Sequence, residues 1–195
     1  MATDRTRSLP IFPLNTVLFP DGILPLRIFE QRYLDMTKAC LRDGTPFGVC
    51  LIQEGAEVGK PAMPTDVGCI ARIVDWEMPQ LGIFHLLARG RGRFRLLSTR
   101  TEPSGLLMGE TLPLEPEPAV PVEDRHARCV EVLRQLAESV PDTQIPTPHR
   151  FDDASWVGYR LAEVLPLDRF EKQRMLVAND ASARLDRILH LLKRG

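Results

Sequence analysis

Residues that commonly carry out covalent chemistry are few in this sequence and lie far apart. The four histidines, His85, His126, His149 and His190, belong to no shared motif, and neither G-x-S-x-G nor H-E-x-x-H occurs. His126 and Cys129 are three residues apart and therefore neighbours on one helical face. No orienting group or oxyanion donor stands beside them in the sequence, and both fit an apolar stripe. Cys40, Cys50, Cys69 and Cys129 are separated by 10, 19 and 60 residues, which is neither metal-ligand spacing nor a small disulfide framework. Gly55-Ala-Glu-Val-Gly59-Lys60-Pro61 is one residue short of a phosphate loop, and Pro61 stands where a Mg²⁺-binding hydroxyl is needed. Gly90-Arg-Gly92 lacks the third glycine of a dinucleotide fingerprint, because Arg95 holds that place. The expectation is a chain with no catalytic residue, no metal ligand and no cofactor.

The densest chemical feature is Arg89-Gly-Arg-Gly-Arg-Phe-Arg95. Four guanidiniums around one aromatic ring suit a nucleic-acid backbone with a stacked base. The competing reading is a bend between two strands, with glycines for tight geometry and arginines spread outward. Asp75, Glu77, Glu102 and Glu110 on neighbouring strands would then absorb the charge in cross-strand pairs. Arg89, Arg91 and Arg93 are kept as binding candidates, with the structural reading preferred.

These residues must be positioned by elements that the apolar pattern lays out. Leu9–Leu14, Ile23–Ile28, Phe47–Ile52, Val67–Trp76, Gly82–Ala88, Arg93–Thr101 and Leu106–Leu112 are short apolar runs between turn residues, so an antiparallel sheet or small barrel is predicted. Met78-Pro-Gln-Leu81 reads as a hairpin connection. One helix interrupts the strands: Phe29, Tyr33, Met36 and Cys40 repeat at helical spacing up to Asp43, and Gly44 is placed to stop it. Gln53–Asp66 reads as an exposed loop. Pro113–Pro121 holds four prolines in nine residues and reads as a stiff linker. Beyond it the period is helical, with stripes at His126–Val140, Val157–Val164, Phe170–Ala178 and Leu185–Leu192. Two lobes follow, a β-rich one over 1–118 and a helical one over 119–195.

Composition is that of an ordinary globular chain of 195 residues, with 44% hydrophobic and 26% charged residues. Basic and acidic residues number 25 and 26; the helical lobe has 12 of each. Neither lobe is basic, so nucleic-acid binding by bulk charge is disfavoured. No apolar run reaches the ~18 residues of a membrane helix, and the N-terminus is too short and proline-rich for a signal sequence. A cytoplasmic protein with no membrane contact is expected.

The order of motifs resembles a known family. Leu9-Pro-Ile-Phe-Pro-Leu14, Val17-Leu-Phe-Pro20 and Ile23-Leu-Pro-Leu26, then Phe29-Glu-Gln-Arg-Tyr33, are similar to the opening of the Lon protease N-terminal domain. Val67-Gly-Cys-Ile-Ala71 and Arg89-Gly-Arg-Gly-Arg-Phe94 match its central strand and the stretch after its hairpin. Arg160-Leu-Ala-Glu-Val-Leu-Pro-Leu167, Lys172-Gln173 and Ala183-Arg-Leu-Asp186 look like its helical tail. The resemblance spans ~9–193. It implies an α+β fold, a PUA-like β-pseudobarrel with one long helix followed by a C-terminal α-helical bundle. It also implies recognition of unfolded or tagged protein substrates, while the motor and Ser–Lys protease parts of full Lon proteases have no counterpart here, as in a stand-alone domain.

The expected function is therefore non-catalytic binding of an unfolded or extended polypeptide or a protein partner, in a groove between barrel and bundle or at an open strand edge. The alternative is an RNA-binding PUA-like module using Arg89–Arg95. Phe29, Tyr33 and Phe94 are expected to fill the barrel. Arg27 and Arg32 are expected to be solvated or paired, since neither can be buried alone. Arg27, Phe29, Arg32 and Tyr33 complete the set of binding candidates.

Overall fold

The computed structural model describes residues 6–59 and 62–193, so Lys60 and Pro61, the end of the phosphate-loop look-alike, lie outside the described residues. Six strands form: β1 (Arg7–Leu14), β2 (Ile23–Ile28), β3 (Phe47–Glu54), β4 (Met63–Gln80), β5 (Ile83–Thr101) and β6 (Leu107–Pro113). Five α-helices accompany them among the described residues: α1 (Gln31–Asp43), α2 (Ala127–Ser139), α3 (Ala154–Val164), α4 (Arg169–Val177) and α5 (Ala181–Leu192). The fold is α+β. It divides into two compact units, Met1–Glu115 and Pro116–Gly195.

In the first unit the strands pair in the order β2-β5-β4-β3-β1-β6, and β5 also pairs with β6. Five strands thus close a ring of pairings, and β2 is attached outside it through β5. All pairs are antiparallel except β1 with β3. That exception to the antiparallel expectation follows from connectivity: β2 and α1 lie between the two strands, supplying the crossover that a parallel pair requires.

The two runs expected on either side of Arg89–Arg95 are one 19-residue strand, β5. The bend is replaced by a bulge. Cys69 faces Arg93 and Ala71 faces Gly90, so β5 carries one extra residue at this point. Gly90 also receives the Phe19–Gly22 turn: the Asp21 amide donates to its carbonyl (3.0 Å) and its own amide donates to the Gly22 carbonyl (2.9 Å). A Cβ on Gly90 would lie 2.1 Å from the Phe19 carbonyl oxygen, whereas one on Gly92 would meet nothing within 4 Å. The β4–β5 connection is also tighter than expected. Gln80 pairs with Ile83, leaving Leu81 and Gly82 as a two-residue turn.

α1 starts two residues later than its apolar period, because Glu30 is extended (φ −77°, ψ 136°) and takes the N-cap position. Gly44 ends it in the left-handed region at φ 62°, its amide donating to the Cys40 carbonyl. Its buried face packs Tyr33, Leu34, Met36 and Cys40 into a cluster with Phe12, Phe47 and Leu86. Tyr33 stacks on Phe12 with ring centroids 4.0 Å apart. A second cluster holds Leu9, Ile11, Cys50, Phe94 and Leu107. The Phe94 ring lies where a Cβ on Gly48 or Gly68 would stand, 2.7 Å from each. Phe94 and Tyr33 are buried as expected; Phe29 is 52% exposed and fills nothing.

In the second unit α3 packs against α2, α4 and α5. Leu133, Val157, Leu161, Leu185 and Ile188 are fully buried there. Asp153, Asp168 and Asp180 cap α3, α4 and α5, each accepting from backbone amides of the first turn. Charged groups also enter this interior. Both Arg184 terminal nitrogens donate to the Glu117 carboxylate, which also accepts from the Ser155 and Tyr159 hydroxyls. The Arg184 side chain is fully buried and that of Glu117 is 4% exposed. Burial alone would raise the Glu117 pKa; the Arg184, Ser155 and Tyr159 bonds more than offset it and hold the carboxyl below its ordinary value.

Two measurements check this description. Gly90→Ala should lower stability by about 1–3 kcal/mol, because backbone blocks the new methyl, while Gly92→Ala leaves the urea midpoint nearly unchanged. A carboxyl held lower in the folded than in the unfolded chain contributes stability that is complete above the unfolded value and fades as pH falls through the folded one. Stability should therefore drop on acidification below about pH 4.3. Glu117→Gln should flatten that slope while costing on the order of 3–5 kcal/mol at neutral pH by stranding Arg184.

Candidate functional site

Among the described residues β2 pairs on one side only. The Gly90 amide bonds to the Gly22 carbonyl, and Ile23 faces Arg89 in the next register position. Continuing the antiparallel alternation, Leu24, Leu26 and Ile28 bond to β5, and the backbone of Ile23, Pro25 and Arg27 is directed to the open side. Proline is tolerated at 25 because its missing amide is on that side. The open edge offers the amides of Ile23 and Arg27 and three carbonyls.

A groove of about 280 Å³ runs beside this edge. Phe12, Leu14, Leu24, Leu26 and Tyr33 give it an apolar floor, and Phe29 and Val58, 52% and 57% exposed, stand in its walls. Arg27, Glu30 and Glu57 add charge. A second concavity of about 600 Å³ shares Pro25, Leu26 and Arg27 with the first and adds Trp76, His85 and Leu87 from the β4–β5 hairpin. Along that hairpin Val74, Trp76 and Met78 are all exposed, and Leu81 at the tip is 94% exposed. The Trp76 ring rests on Phe84 at 5.6 Å.

Four of the sequence candidates therefore gather here, in different roles. Arg27 and Phe29 are exposed on the groove. Tyr33 is buried in its floor, and burial, partly opposed by the neighbouring Arg32 charge, pushes its phenol up. Arg32 is buried behind it, paired to Glu30 at 3.0 Å, donating to the Gly105 carbonyl, and stacked over the Tyr33 ring at 4.6 Å. It positions α1 and is not presented to a ligand. Val58 and Trp76, which line these concavities, are not among the sequence candidates. Their signals were present: an apolar residue in a loop of Gly and Pro, and a tryptophan in period two with Val74 and Met78.

The arginine run does not form a continuous cationic surface. Arg89 pairs with Asp21 at 3.6 Å and Arg95 with Asp66 at 3.4 Å. The carboxylates expected to absorb this charge are engaged elsewhere: Asp75 accepts from the Trp76 amide, and Glu77 contacts His85, Glu102 contacts Arg100 and Glu110 contacts Ser98. Arg93 is buried at 5% exposure, while Arg91 is exposed.

No thiol is poised for nucleophilic attack. All four cysteines are buried and free. Burial pushes the Cys40 and Cys50 thiols up and Cys129 to about 11. His126 does have an orienting carboxylate that the sequence did not reveal, Asp186 at 2.8 Å. The Cys129 sulfur, however, donates to the Leu185 carbonyl at 3.8 Å. Among the described residues no cluster of metal-ligating groups occurs, and no helix is long and apolar enough to cross a membrane.

Comparison with known proteins supplies the context. The family model of the ATP-dependent protease La (Lon) substrate-binding domain matches residues 8–194. Lon protease 2 of Myxococcus xanthus is 29% identical over 203 residues, covering 98% of this chain and 24% of that protein. The chain spans about a quarter of the length of the curated relatives it matches. The crystal structure of a Lon N-terminal domain protein from Xanthomonas campestris superposes with a TM-score of 0.79 at 36% identity, covering 94% of this chain and 98% of that one. The N-terminal domain of the Mycobacterium avium complex Lon protease shares the fold, with a TM-score of 0.65 at 16% identity, covering 94% and 97%.

Arg91 and Arg93 should separate cleanly in stability. Arg91→Ala should leave the denaturation midpoint unchanged, because its head is in water. Arg93→Ala should cost roughly 1–3 kcal/mol by leaving buried partners unsatisfied. Equal effects in urea denaturation would contradict the opposed burial of the two side chains.

Proposed function

The chain belongs to the substrate-binding domain family of ATP-dependent protease La (Lon), and from that premise we propose that it is a non-catalytic module that binds unfolded or extended protein segments along β2. The observation that carries this reading is the apolar groove beside a strand edge with unused backbone groups. An extended segment laid there bonds to the edge through its main chain and places alternate side chains on the floor. Main-chain recognition is indifferent to sequence, and the floor favours apolar residues. Both properties suit capture of unfolded protein.

The ring of strands in the first unit is read as a PUA-like β-pseudobarrel, and the helices of the second as a bundle, with the lobes taken as 1–118 and 119–195. Four buried, unbridged thiols suit a reducing, cytoplasmic setting. An RNA-binding role for Arg89–Arg95 is not favoured, since two of its guanidiniums sit on aspartates and a third is buried.

The test is titration of the chain with a permanently unfolded protein, such as reduced and carboxymethylated α-lactalbumin, followed by fluorescence anisotropy. Saturable binding that changes little between low and high salt is expected. Phe29→Ser, at an exposed position, should weaken it about threefold to tenfold by removing apolar contact, with the melting temperature unchanged. Absence of binding, or binding that Phe29→Ser leaves intact, would remove the groove from the reading.

A further inference from the structure

A third cleft, of about 660 Å³, opens at the end of the strand ring where β1 and β3 begin and β6 ends. Its chemistry differs from that of the β2 groove. Arg7 of β1, Arg72 of β4 and Arg91 of β5 line it together with the hydroxyl-bearing residues Ser8, Thr45 and Thr111. Among the described residues no aspartate or glutamate is in its wall, and the remainder is apolar. The other arginines of this unit with a described ion pair, Arg32, Arg42, Arg89, Arg95 and Arg100, each sit on a carboxylate. Arg7, Arg72 and Arg91 form no ion pair among the described residues. Arg72 donates to the Gly44 carbonyl at 3.0 Å, and the Thr111 hydroxyl donates to the Arg7 carbonyl at 2.8 Å, which ties β1 to β6 at this wall.

Three unneutralised cations thus converge on one concavity in a chain whose net charge is −1. Like charges held together raise the local potential, and an anion entering the cleft converts that repulsion into attraction. We propose that this cleft binds a small phosphate-bearing molecule, its phosphoryl oxygens held by the forks of Arg7, Arg72 and Arg91 and its remainder lying on the apolar wall. A carboxylate has two oxygens and one charge, too few for three planar forks. A phosphomonoester offers three oxygens and close to two charges. A small ligand fits better than a nucleic-acid strand, because among the described residues no track of free cations leads away from the cleft. Of the run Arg89–Arg95 only Arg91 reaches it; Arg89 and Arg95 are on aspartates and Arg93 is buried. This inference is independent of peptide binding at β2.

The experiment is an NMR titration of the whole chain with pyrophosphate and with O-phosphoserine, reading the arginine Nε–H signals. Saturable, mutually competitive binding is expected, moving the Arg7, Arg72 and Arg91 signals and not those of Arg42 and Arg100. Arg72→Gln with Arg91→Gln should weaken affinity by about tenfold per lost guanidinium at an unchanged melting temperature, and added salt should weaken the wild type. The proposal is overturned if the three signals do not saturate, or if they move no more than those of Arg42 and Arg100. It is also overturned if a single-stranded oligonucleotide displaces pyrophosphate at lower concentration than O-phosphoserine does, which would assign the cleft to nucleic acid.

Discussion

The first unit depends on the Phe94 ring lying directly on two positions without side chains. Gly48 on β3 and Gly68 on β4 leave the space that the ring occupies, and a methyl on either would overlap it. Phe94 itself is on β5, the strand that pairs with β4, β6 and β2. One aromatic ring therefore fills the interior between three strands, and the small residues set how closely those strands approach it. Gly109 on β6 makes the same allowance for Ile11 and Leu96. With the interior filled in this way the ring of pairings can close, and β5 is long enough to continue past it and carry β2. The edge of β2 exists because β5 serves both the closed ring and the strand outside it.

The second unit is organised by polar contacts within its helices. Arg184 is fully buried and reaches Glu117 and the carbonyls of Met175 and Ala178. Glu171 on α4 holds Arg174 and Arg187, the latter through Nε at 2.8 Å, joining α4 to α5. These bonds have defined directions, so they fix the rotation of each helix more tightly than apolar contact does. Arg160, also fully buried, pairs with Glu163 one turn away.

Much of this was legible from periodicity. The strand runs, the single early helix with Gly44 as its stop, and the helical stripes after Pro121 follow from spacing alone, since each reflects one buried face. The long β5 was not legible. Two glycines in an arginine-rich run look the same whether the chain bends or bulges, and the choice was made by the Phe19–Gly22 turn docking on Gly90, a contact distant in sequence. Phe29 was misassigned for a related reason. It falls on the helical period, but Glu30 is extended and the helix begins after it, so the ring is left outside. The site suffered most from such effects. Arg27 and Phe29 lie close together in the opening of the chain, whereas Val58 and Trp76 come beside them through contacts distant in sequence. Arg91 stood in a conspicuous cluster, yet its cleft partners Arg7 and Arg72 come from other strands.

Pro25 has a consequence for the fate of the molecule at high concentration. An unprotected strand edge is a template on which copies of one chain can stack without limit, as in fibrils. Here the edge is six residues long, and its central outward position has no amide to give. The exposed charge of Arg27 follows two residues later. A visiting strand finds two donors separated by a gap, enough for brief attachment and too few for a continuous ladder. The same proline that keeps the edge from seeding aggregates also limits how many main-chain bonds any added strand can form there.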